Sequence, residues 1–433
     1  MNLRTRVAII LGKLVSVIST TLRLGAGATW PGEIALRINP RILRILSVNA
    51  PHVILVAGTN GKTTTVKMIE TILIHNGKTV YRNASGANLD NGLVSAFLAD
   101  MKWNQHFRSK YFIFEVDEAT LPNVLKDLTP QIIVLNNLFR DQLDRYGEVD
   151  TIAEKWLVAL GGLERQTNVI INADDPHLAF IGSKLTANVK YFGLEDPSLF
   201  LPKMQHATDT IYCPNCGARL TFAGVYFSHL GKWACGNCSF VPPKEDVTVR
   251  DFACPIEGIY NKYNTLAAAL VALTLGVNKS DIRDALTHFT PAFGRLETVV
   301  ADGKRVKILL SKNPTGFNES LRTVAASRDV GPMLLVLNDR IPDGRDVSWI
   351  WDVDFEQYRN FSRYIVSGDR VFDLALRLKY AQIAKAKMHV SESLDSAIAK
   401  GIAAVRPSEV LWILATYSGM LDVRKILTGR KIL

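Results

Sequence analysis

The stretch His52-Val-Ile-Leu-Val-Ala-Gly-Thr-Asn-Gly-Lys-Thr-Thr-Thr65 narrows the fold more than any other part of the chain. An apolar, strand-like run stops at Gly58, and Gly61-Lys62-Thr63 leads straight into a helical pattern over Lys62–His75 that Asn76-Gly77 ends. Parallel strands cannot be joined by a tight turn, so a strand that hands over to a helix is the repeating unit of a parallel sheet. A glycine turn at that junction aims backbone N–H groups and the positive end of the helix dipole at a phosphate. The common phosphate-loop spacing, G-x-x-x-x-G-K-[ST], would place glycine where Val56 stands, so this is a shorter variant. Gly58, Thr59, Asn60, Gly61, Lys62, Thr63 and Thr64 are the expected nucleotide-binding residues. Lys62 is expected at the β/γ-phosphates, and the Thr63 hydroxyl at Mg²⁺.

Further short, β-rich apolar runs follow at Thr79–Arg82, Tyr111–Val116, Ile132–Leu135 and Val169–Ile171, several of them separated by helical segments. The alternation predicts a parallel α/β sheet with helices on its faces. Three of these strands end in polar clusters: Glu115 to Glu118, Asn136 to Tyr146, and Asn172-Ala-Asp-Asp175. The carboxyl edge of such a sheet is where ligands bind, which makes Glu115 a candidate Mg²⁺ ligand. From about 203 to 245 the texture changes to cysteines, aromatics and turn residues, and the α/β pattern resumes at Gly258 with a helix expected from Asn264 to about Leu275. A second boundary falls near Phe293-Gly294-Arg295, beyond which Val306–Leu310, Met333–Leu337 and Val410–Leu414 predict a smaller Rossmann-like α/β domain. The expected layout is a helical segment over 1–50, an ATP-binding domain over 51–293 with an insertion at 203–245, and a C-terminal domain over 294–433.

Four of the five cysteines form two C-x-x-C pairs, Cys213/Cys216 and Cys235/Cys238, with Cys254 alone. The spacing matches a four-thiolate zinc ribbon in a reducing compartment, a closed and therefore structural site. Cys254 is expected in the core. The net charge of +10 suits an anionic membrane, a phosphorylated substrate or a nucleic acid. A zinc-ribbon nucleic-acid-binding ATPase is thus one alternative, although the basic residues do not cluster beside the cysteines. Near the amino end, Leu11, Leu14, Val15 and Ile18 recur at helical spacing with Arg6 and Lys13 off the stripe. Three readings stay open there: a helix packed on its own domain, a helix on a membrane surface, or the start of a cleaved signal.

Taken together and in order, the motifs resemble those of the Mur ligase superfamily. Gly58-Thr-Asn-Gly-Lys-Thr63 is similar to its ATP loop, Asp141-Gln-Leu-Asp144 to its D-H-x-D segment, and Asn172-Ala-Asp-Asp175 to its N-A-D-D. Tyr260-Asn-Lys-Tyr-Asn264 resembles its H-N-x-x-N motif, Gly294-Arg295 its interdomain arginine segment and Ser311-Lys312 its C-terminal lysine segment. Only about 50 residues precede the loop, too few for the nucleotide-sugar domain of the classical members, and the four-cysteine insertion is extra. Both features resemble the MurT family of synthetase subunits, as do Glu115-Val-Asp-Glu118 and Asp343-Gly-Arg-Asp-Val-Ser-Trp349.

The resemblance implies an ATP- and Mg²⁺-dependent carbon–nitrogen ligase that phosphorylates a carboxylate and displaces the phosphate with nitrogen. It implies further that the acceptor is the α-carboxylate of D-glutamate in lipid II, at the inner face of the cell membrane, and that a GatD-like glutaminase supplies ammonia. Asn261 or Asn264 would contact adenine, Arg295 and Lys312 would reach the phosphates, and Asp346 would complete the partner's Cys–His pair. The stretch Asn338–Glu356, with Asp343, Asp346, Asp352, Asp354, Trp349 and Trp351, is expected to be the partner surface. Gln142 stands where many members have a metal-binding histidine, and Leu310 where many have an aspartate. An amino-acid ligase like folylpolyglutamate synthase, acting without a partner, is the other alternative.

Overall fold

The computed structural model describes residues 2–21, 29–84, 86–141, 148–291 and 295–429, and the side chains of Thr20 and Arg295 are not described. Three helices open the chain: α1 (Leu3–Thr21), α2 (Trp30–Ile38) and α3 (Ile42–Val48). A six-stranded sheet follows, built from β1 (His52–Ala57), β2 (Val80–Arg82), β3 (Tyr111–Glu115), β4 (Ile132–Leu135), β5 (Asn168–Asn172) and β6 (Asn188–Phe192). Its order is β2-β3-β1-β4-β5-β6, and every pairing is parallel. The crossovers carry α4 (Lys62–His75), α5 (Asp90–Asp100), α6 (Leu121–Asp127), α7 (Val149–Gly161) and α8 (Pro176–Lys184).

Alternate residues of the central strands feed two separate cores, as a sheet covered on both faces requires. Leu55, Phe112, Phe114 and Ile133 pack with α1 to α3 and α5 to α8. Ile54, Val56, Ile113 and Val134 pack with α4 and with two later helices, α9 (Ile259–Thr274) and α10 (Lys279–Thr287). Because β1 lies inside the sheet, the strand ends at Ala57, Glu115 and Leu135 come together along one edge.

The hairpin of β7 (Thr221–Phe227) and β8 (Leu230–Ala234) lies between β6 and α9 in the chain. The segment 203–245 is not an appendage, because Tyr226, Phe227 and Leu230 belong to the second of these cores. Beyond it, the strands β9 (Arg295–Ala301), β10 (Lys304–Leu310), β11 (Val330–Val336), β12 (Tyr364–Ser367), β13 (Met388–Val390) and β14 (Val410–Ala415) form the other large sheet, ordered β13-β12-β11-β14-β10-β9. Only β9 runs antiparallel in it. Helices α11 (Pro314–Ala326), α12 (Val371–Tyr380), α13 (Leu394–Ala403) and α14 (Tyr417–Thr428) complete this part.

Two sequence expectations change. The helix expected from Asn264 begins five residues earlier, at Ile259, after Gly258. The other concerns α1, which packs on α2 and α5 through Thr5, Ala8, Ile9, Gly12 and Lys13, so that Leu11, Leu14 and Ile18 face outward. Lys13, expected off the buried side, donates from Nζ to the carbonyls of Leu98 (3.2 Å) and Met101, which offsets its burial. A Cβ on Gly12 would lie 2.6 Å from Leu98 Cδ1, so this is the side along which α1 lies close. Among the described residues no helix is long and apolar enough to cross a membrane.

Candidate active site

The phosphate-type loop sits at the carboxyl edge of the first sheet, between β1 and α4, and is stapled from behind. Asn60 N donates to Asn137 Oδ1 (2.8 Å), and Asn137 Nδ2 returns a bond to Asn60 O (3.1 Å). Thr59 N donates to Asn137 O (3.0 Å), while Phe139 N donates to Thr59 Oγ1 (2.9 Å). Thr59 and Asn60 therefore hold the loop to the end of β4. The amides at the start of α4, which have no partner in the preceding turn of a helix, are the ones placed to meet an anion.

Gly61 has φ +88°, and a Cβ there would lie 2.0 Å from Asn264 Oδ1. Asn264 and Asn261 share one face of α9, where Asn264 Nδ2 donates to Asn261 Oδ1 (3.1 Å) and Thr65 Oγ1 donates to Asn264 Oδ1 (3.3 Å). Asn264 thus supports the loop from below.

The expected metal ligands are adjacent: Thr63 Oγ1 donates to Glu115 Oε2 (2.7 Å), and Glu115 Oε1 accepts from Gly86 N (3.0 Å). Both side chains are buried, and the buried Asn136 Oδ1 and Asp141 Oδ1 have no hydrogen-bond partner among the described residues. The Thr63 hydroxyl and the Glu115 carboxylate are oxygen donors of the kind that fits a hard divalent cation such as Mg²⁺. Lys62 Nζ donates to Glu118 Oε2 and to the Thr59 carbonyl at 3.0 and 3.3 Å. Burial works to raise the Glu118 carboxyl, but the Lys62 and Lys312 cations hold it below the ordinary glutamate range.

The second sheet closes the site. Lys312 forms an ion pair with Asp141 across the cleft, and Asn313 Nδ2 donates to Asn60 Oδ1 (3.2 Å). Burial raises the Asp141 carboxyl, with Lys312 opposing it. Arg140 bridges Asp209 and Asp352 at 2.5 and 3.2 Å. Two cavities open between the sheets. One, of about 590 Å³, is lined by Gly61, Thr64, Phe227, Asn261, Leu310 and Glu319 among others, a largely apolar slot against the loop. The other, of about 570 Å³, is lined by Arg140, Asp141, Lys312, Asp343, Asp346, Trp349 and Asp352 among others.

Asp346 is exposed at this second cavity, where it accepts from Ser348 N (2.8 Å) and Ser348 Oγ (2.9 Å). The expectation that four aspartates form one partner surface does not survive. Asp343 is buried and bound to Ser418 N (2.8 Å) and Ser418 Oγ, and Asp354 is buried against Asn318 Nδ2 (3.0 Å). Only Asp346 and Asp352 reach solvent. Of Arg295 only the backbone is described, at the start of β9 opposite Leu309, and Gly294, Gln142 and Asp144 lie outside the described residues.

The N-A-D-D segment is structural. Asp175 caps α8, accepting from His177 N (3.0 Å), and its other oxygen accepts from Leu138 N (2.9 Å). Asp174 accepts from Tyr263 OH (2.7 Å), and burial pushes its carboxyl up to about 6. Sequence reasoning missed Phe227 and Glu319 as cleft residues, since neither belongs to a motif. Burial pushes Glu319 up to about 7, with the Arg322 cation opposing.

The four cysteine sulfurs lie within 4.8 Å of one another, with Cys213–Cys238 at 3.7 Å and Cys216–Cys235 at 3.5 Å. A tetrahedron with Zn–S bonds of about 2.3 Å has edges of about 3.8 Å, so the residues fit zinc. Cys254 is half-buried and accepts a hydrogen bond from Thr265 Oγ1 (3.3 Å).

Fold and cleft define an ATP-dependent ligase of the Mur type. Residues 56–272 match the Mur ligase middle domain family, and residues 310–420 match the MurT ligase C-terminal family. The chain is 32% identical over 377 residues, 82% of it and 84% of the relative, to the lipid II isoglutaminyl synthase (glutamine-hydrolyzing) subunit MurT of Staphylococcus aureus strain COL. Against the Streptococcus pneumoniae R6 subunit of the same name, identity is 30% over 451 residues, covering 100% of this chain and 99% of that one. Among solved structures, the pseudomurein peptide ligase type C of Methanothermus fervidus has a TM-score of 0.68 at 21% identity, covering 90% of this chain and 81% of that one. The MurF ligase of Thermotoga maritima in complex with ADP has a TM-score of 0.62 at 16% identity, covering 91% and 83%. The chain belongs to the MurT family of the Mur ligases.

Two predictions come from this geometry. Gly61→Ala should weaken ATP binding at least about tenfold and lower stability by about 1–3 kcal/mol, because it meets both a left-handed φ and a clash. Gly77→Ala, at φ +69° with no atom within 4 Å of a Cβ, should carry the backbone strain alone and leave ATP binding unchanged. Calorimetric titration with ATP and thermal melting of both variants separate the two effects.

The second concerns Glu319. Its folded pKa lies above the unfolded value of 4.5, so its contribution is fully present below about 4.5 and is lost as pH rises through about 7. Glu319→Gln should therefore flatten the fall in melting temperature over that window. An unchanged pH slope would show that Glu319 is ionised in the folded chain.

Proposed function

We propose that the chain is the synthetase subunit that amidates the α-carboxylate of D-glutamate in the stem peptide of lipid II, using ATP, Mg²⁺ and ammonia from a GatD-like glutaminase. The observation that carries this reading is the pairing of cavities. One slot abuts the phosphate loop, and a second cavity, lined by charged side chains, includes Lys312 and the exposed Asp346. That arrangement supports a nucleotide at one end and nitrogen delivery from outside at the other.

In the proposed reaction, a carboxylate oxygen attacks the γ-phosphorus and the bond to the ADP oxygen breaks, leaving an acyl phosphate. Ammonia then adds to the acyl carbon, the C–O bond to phosphate breaks and a proton is lost. The chain's part is positioning and charge neutralisation. Lys62, with Lys312 and Arg295 from the second sheet, would face the phosphoryl oxygens. Thr63 and Glu115 would hold Mg²⁺, which supplies charge neutralisation at the phosphates when bound. Asn261 and Asn264 both line the slot beside the loop, and one or the other would contact adenine. The four cysteines would hold a structural zinc with no open position. A lipid-linked acceptor would set the chain to work at the inner face of the cell membrane.

Cys213→Ser and Cys235→Ser should each lose one equivalent of zinc by metal analysis and melt at lower temperature, since binding at a closed site is folding energy. A wild type purified without zinc would contradict the assignment. Asp346→Asn, assayed in the complex, should lower glutamine hydrolysis by orders of magnitude, because the charge that stabilises a partner imidazolium is gone. ATP binding should persist, and free ammonium should restore most of the amidation. Intact ATP binding without ammonium rescue would place Asp346 in the synthetase step instead.

A further inference from the structure

We propose that the outward face of α1 is a docking surface for an anionic phospholipid bilayer, an inference that rests on the lipid-linked substrate read above. In an ordinary amphipathic helix the large apolar residues face the protein. Here the inward face uses Thr5, Ala8, Ile9, Gly12 and the stem of Lys13, while six other large apolar side chains point away. Val7, Ile10, Leu11, Leu14, Val17 and Ile18 are 37%, 49%, 41%, 43%, 54% and 51% exposed.

At 3.6 residues per turn these six fall within an arc of about 120°. Arg4 and Arg6, both exposed, flank it about 20° beyond either edge. An apolar stripe between two cations is the pattern of a helix lying in the headgroup region, its apolar side chains among the acyl chains and its cations at the lipid phosphates. Trp103, 62% exposed, lies against Lys13 of α1, whose Nζ is 5.1 Å from its ring, and an exposed indole favours a bilayer interface.

Charge commits the surface to a lipid. Helix α1 holds three cations, Arg4, Arg6 and Lys13, and no acid, and Arg4 and Arg6 are exposed beside the stripe. A second copy seated on this face would bring like-charged helices together, whereas an anionic bilayer neutralises them. The face is also tied to the site. Helix α5, on which α1 packs, begins two residues after Asn88, whose carbonyl accepts from Asp117 N (3.1 Å) beside the Thr63–Glu115 pair. Docking would hold this edge of the first sheet near a substrate that stays in the membrane.

The test floats the full chain, and its complex with the glutaminase, on phosphatidylglycerol/phosphatidylcholine vesicles and on phosphatidylcholine alone. Binding should favour the anionic vesicles and weaken with salt. Leu14→Glu/Ile18→Glu should lower the bound fraction at least about tenfold, and Arg4→Gln/Arg6→Gln should remove the preference for phosphatidylglycerol. Both variants alter exposed side chains, so ATP binding should match the wild type; the Glu variant should also match it in melting temperature, while Arg4→Gln gives up the Arg4 Nε bond to the Ile38 carbonyl. The proposal is overturned if the wild type floats with neither vesicle, or if the Glu variant floats unchanged. It is equally overturned if that variant shifts the oligomeric state or releases the glutaminase, which would make the face a protein interface. Amidation keeps the two readings apart. The Glu variant should lose activity on vesicle-borne lipid II and keep it on a soluble stem-peptide precursor. A wild type that floats but amidates neither acceptor defeats the functional reading and leaves the docking surface standing.

Discussion

The close approach of the loop at Gly61 to Asn264 is the constraint around which the phosphate loop is built. With Asn264 Oδ1 where a Cβ would be, the turn from β1 into α4 lies directly on α9. The opposite side of the loop is fixed by Asn137 and Thr59 to the end of β4. A loop clamped on both sides presents its amides in one geometry, and preorganised donors stabilise developing charge without reorganising as it forms. Asn136, Asn137, Asn172 and Asp175, which look like a diffuse polar edge in the sequence, are the parts of that clamp. Asn172 Nδ2 holds the Asn136 carbonyl (2.9 Å), and Asp175 holds the Leu138 amide.

The cations of the cleft are neutralised in the structure by carboxylates: Lys62 by Glu118, and Lys312 by Asp141. Buried charges persist only when paired, so a site built to receive polyphosphate needs such partners until the anion arrives. The second of these pairs, with Asn313 to Asn60, joins the two sheets across the cleft. Away from the loop the contact is reinforced by Arg322, whose Nη1 donates to the Tyr226 carbonyl (2.6 Å) at the end of β7. The four-cysteine segment contributes the same hairpin that supplies Phe227 to the slot beside the loop. Its cysteines therefore steady a wall of the site while staying clear of the chemistry.

Much of this was legible in the residues. The strand–glycine–helix junction at 52–75 and the buried runs at 111–116 and 132–135 lie where their local patterns put them, because periodicity and turn chemistry agree there. So does the sulfur cluster, since C-x-x-C spacing is itself a geometric statement. The misses have one cause, which is that burial depends on partners distant in sequence. The stripe of α1 left its partner open because sequence shows amphipathicity but not which side meets α2 and α5. Lys13 looked solvated because nothing local reveals the Leu98 and Met101 carbonyls. Asp343 and Asp354 looked like surface acids for the same reason, with Ser418 and Asn318 far along the chain. Glu319 and Phe227 reach the cleft only through tertiary packing, and no motif marks them.

The central claim is that the cleft activates a carboxylate by phosphorylation before nitrogen attacks. Lipid II carrying ¹⁸O in the α-carboxylate of its D-glutamate tests it directly, with the complex, ATP and glutamine present and the released phosphate analysed by mass spectrometry. Phosphoryl transfer to the carboxylate predicts that each amidation delivers one ¹⁸O to inorganic phosphate. Amidation with unlabelled phosphate would contradict the account, because the oxygen lost from the carboxylate would then have left by another route.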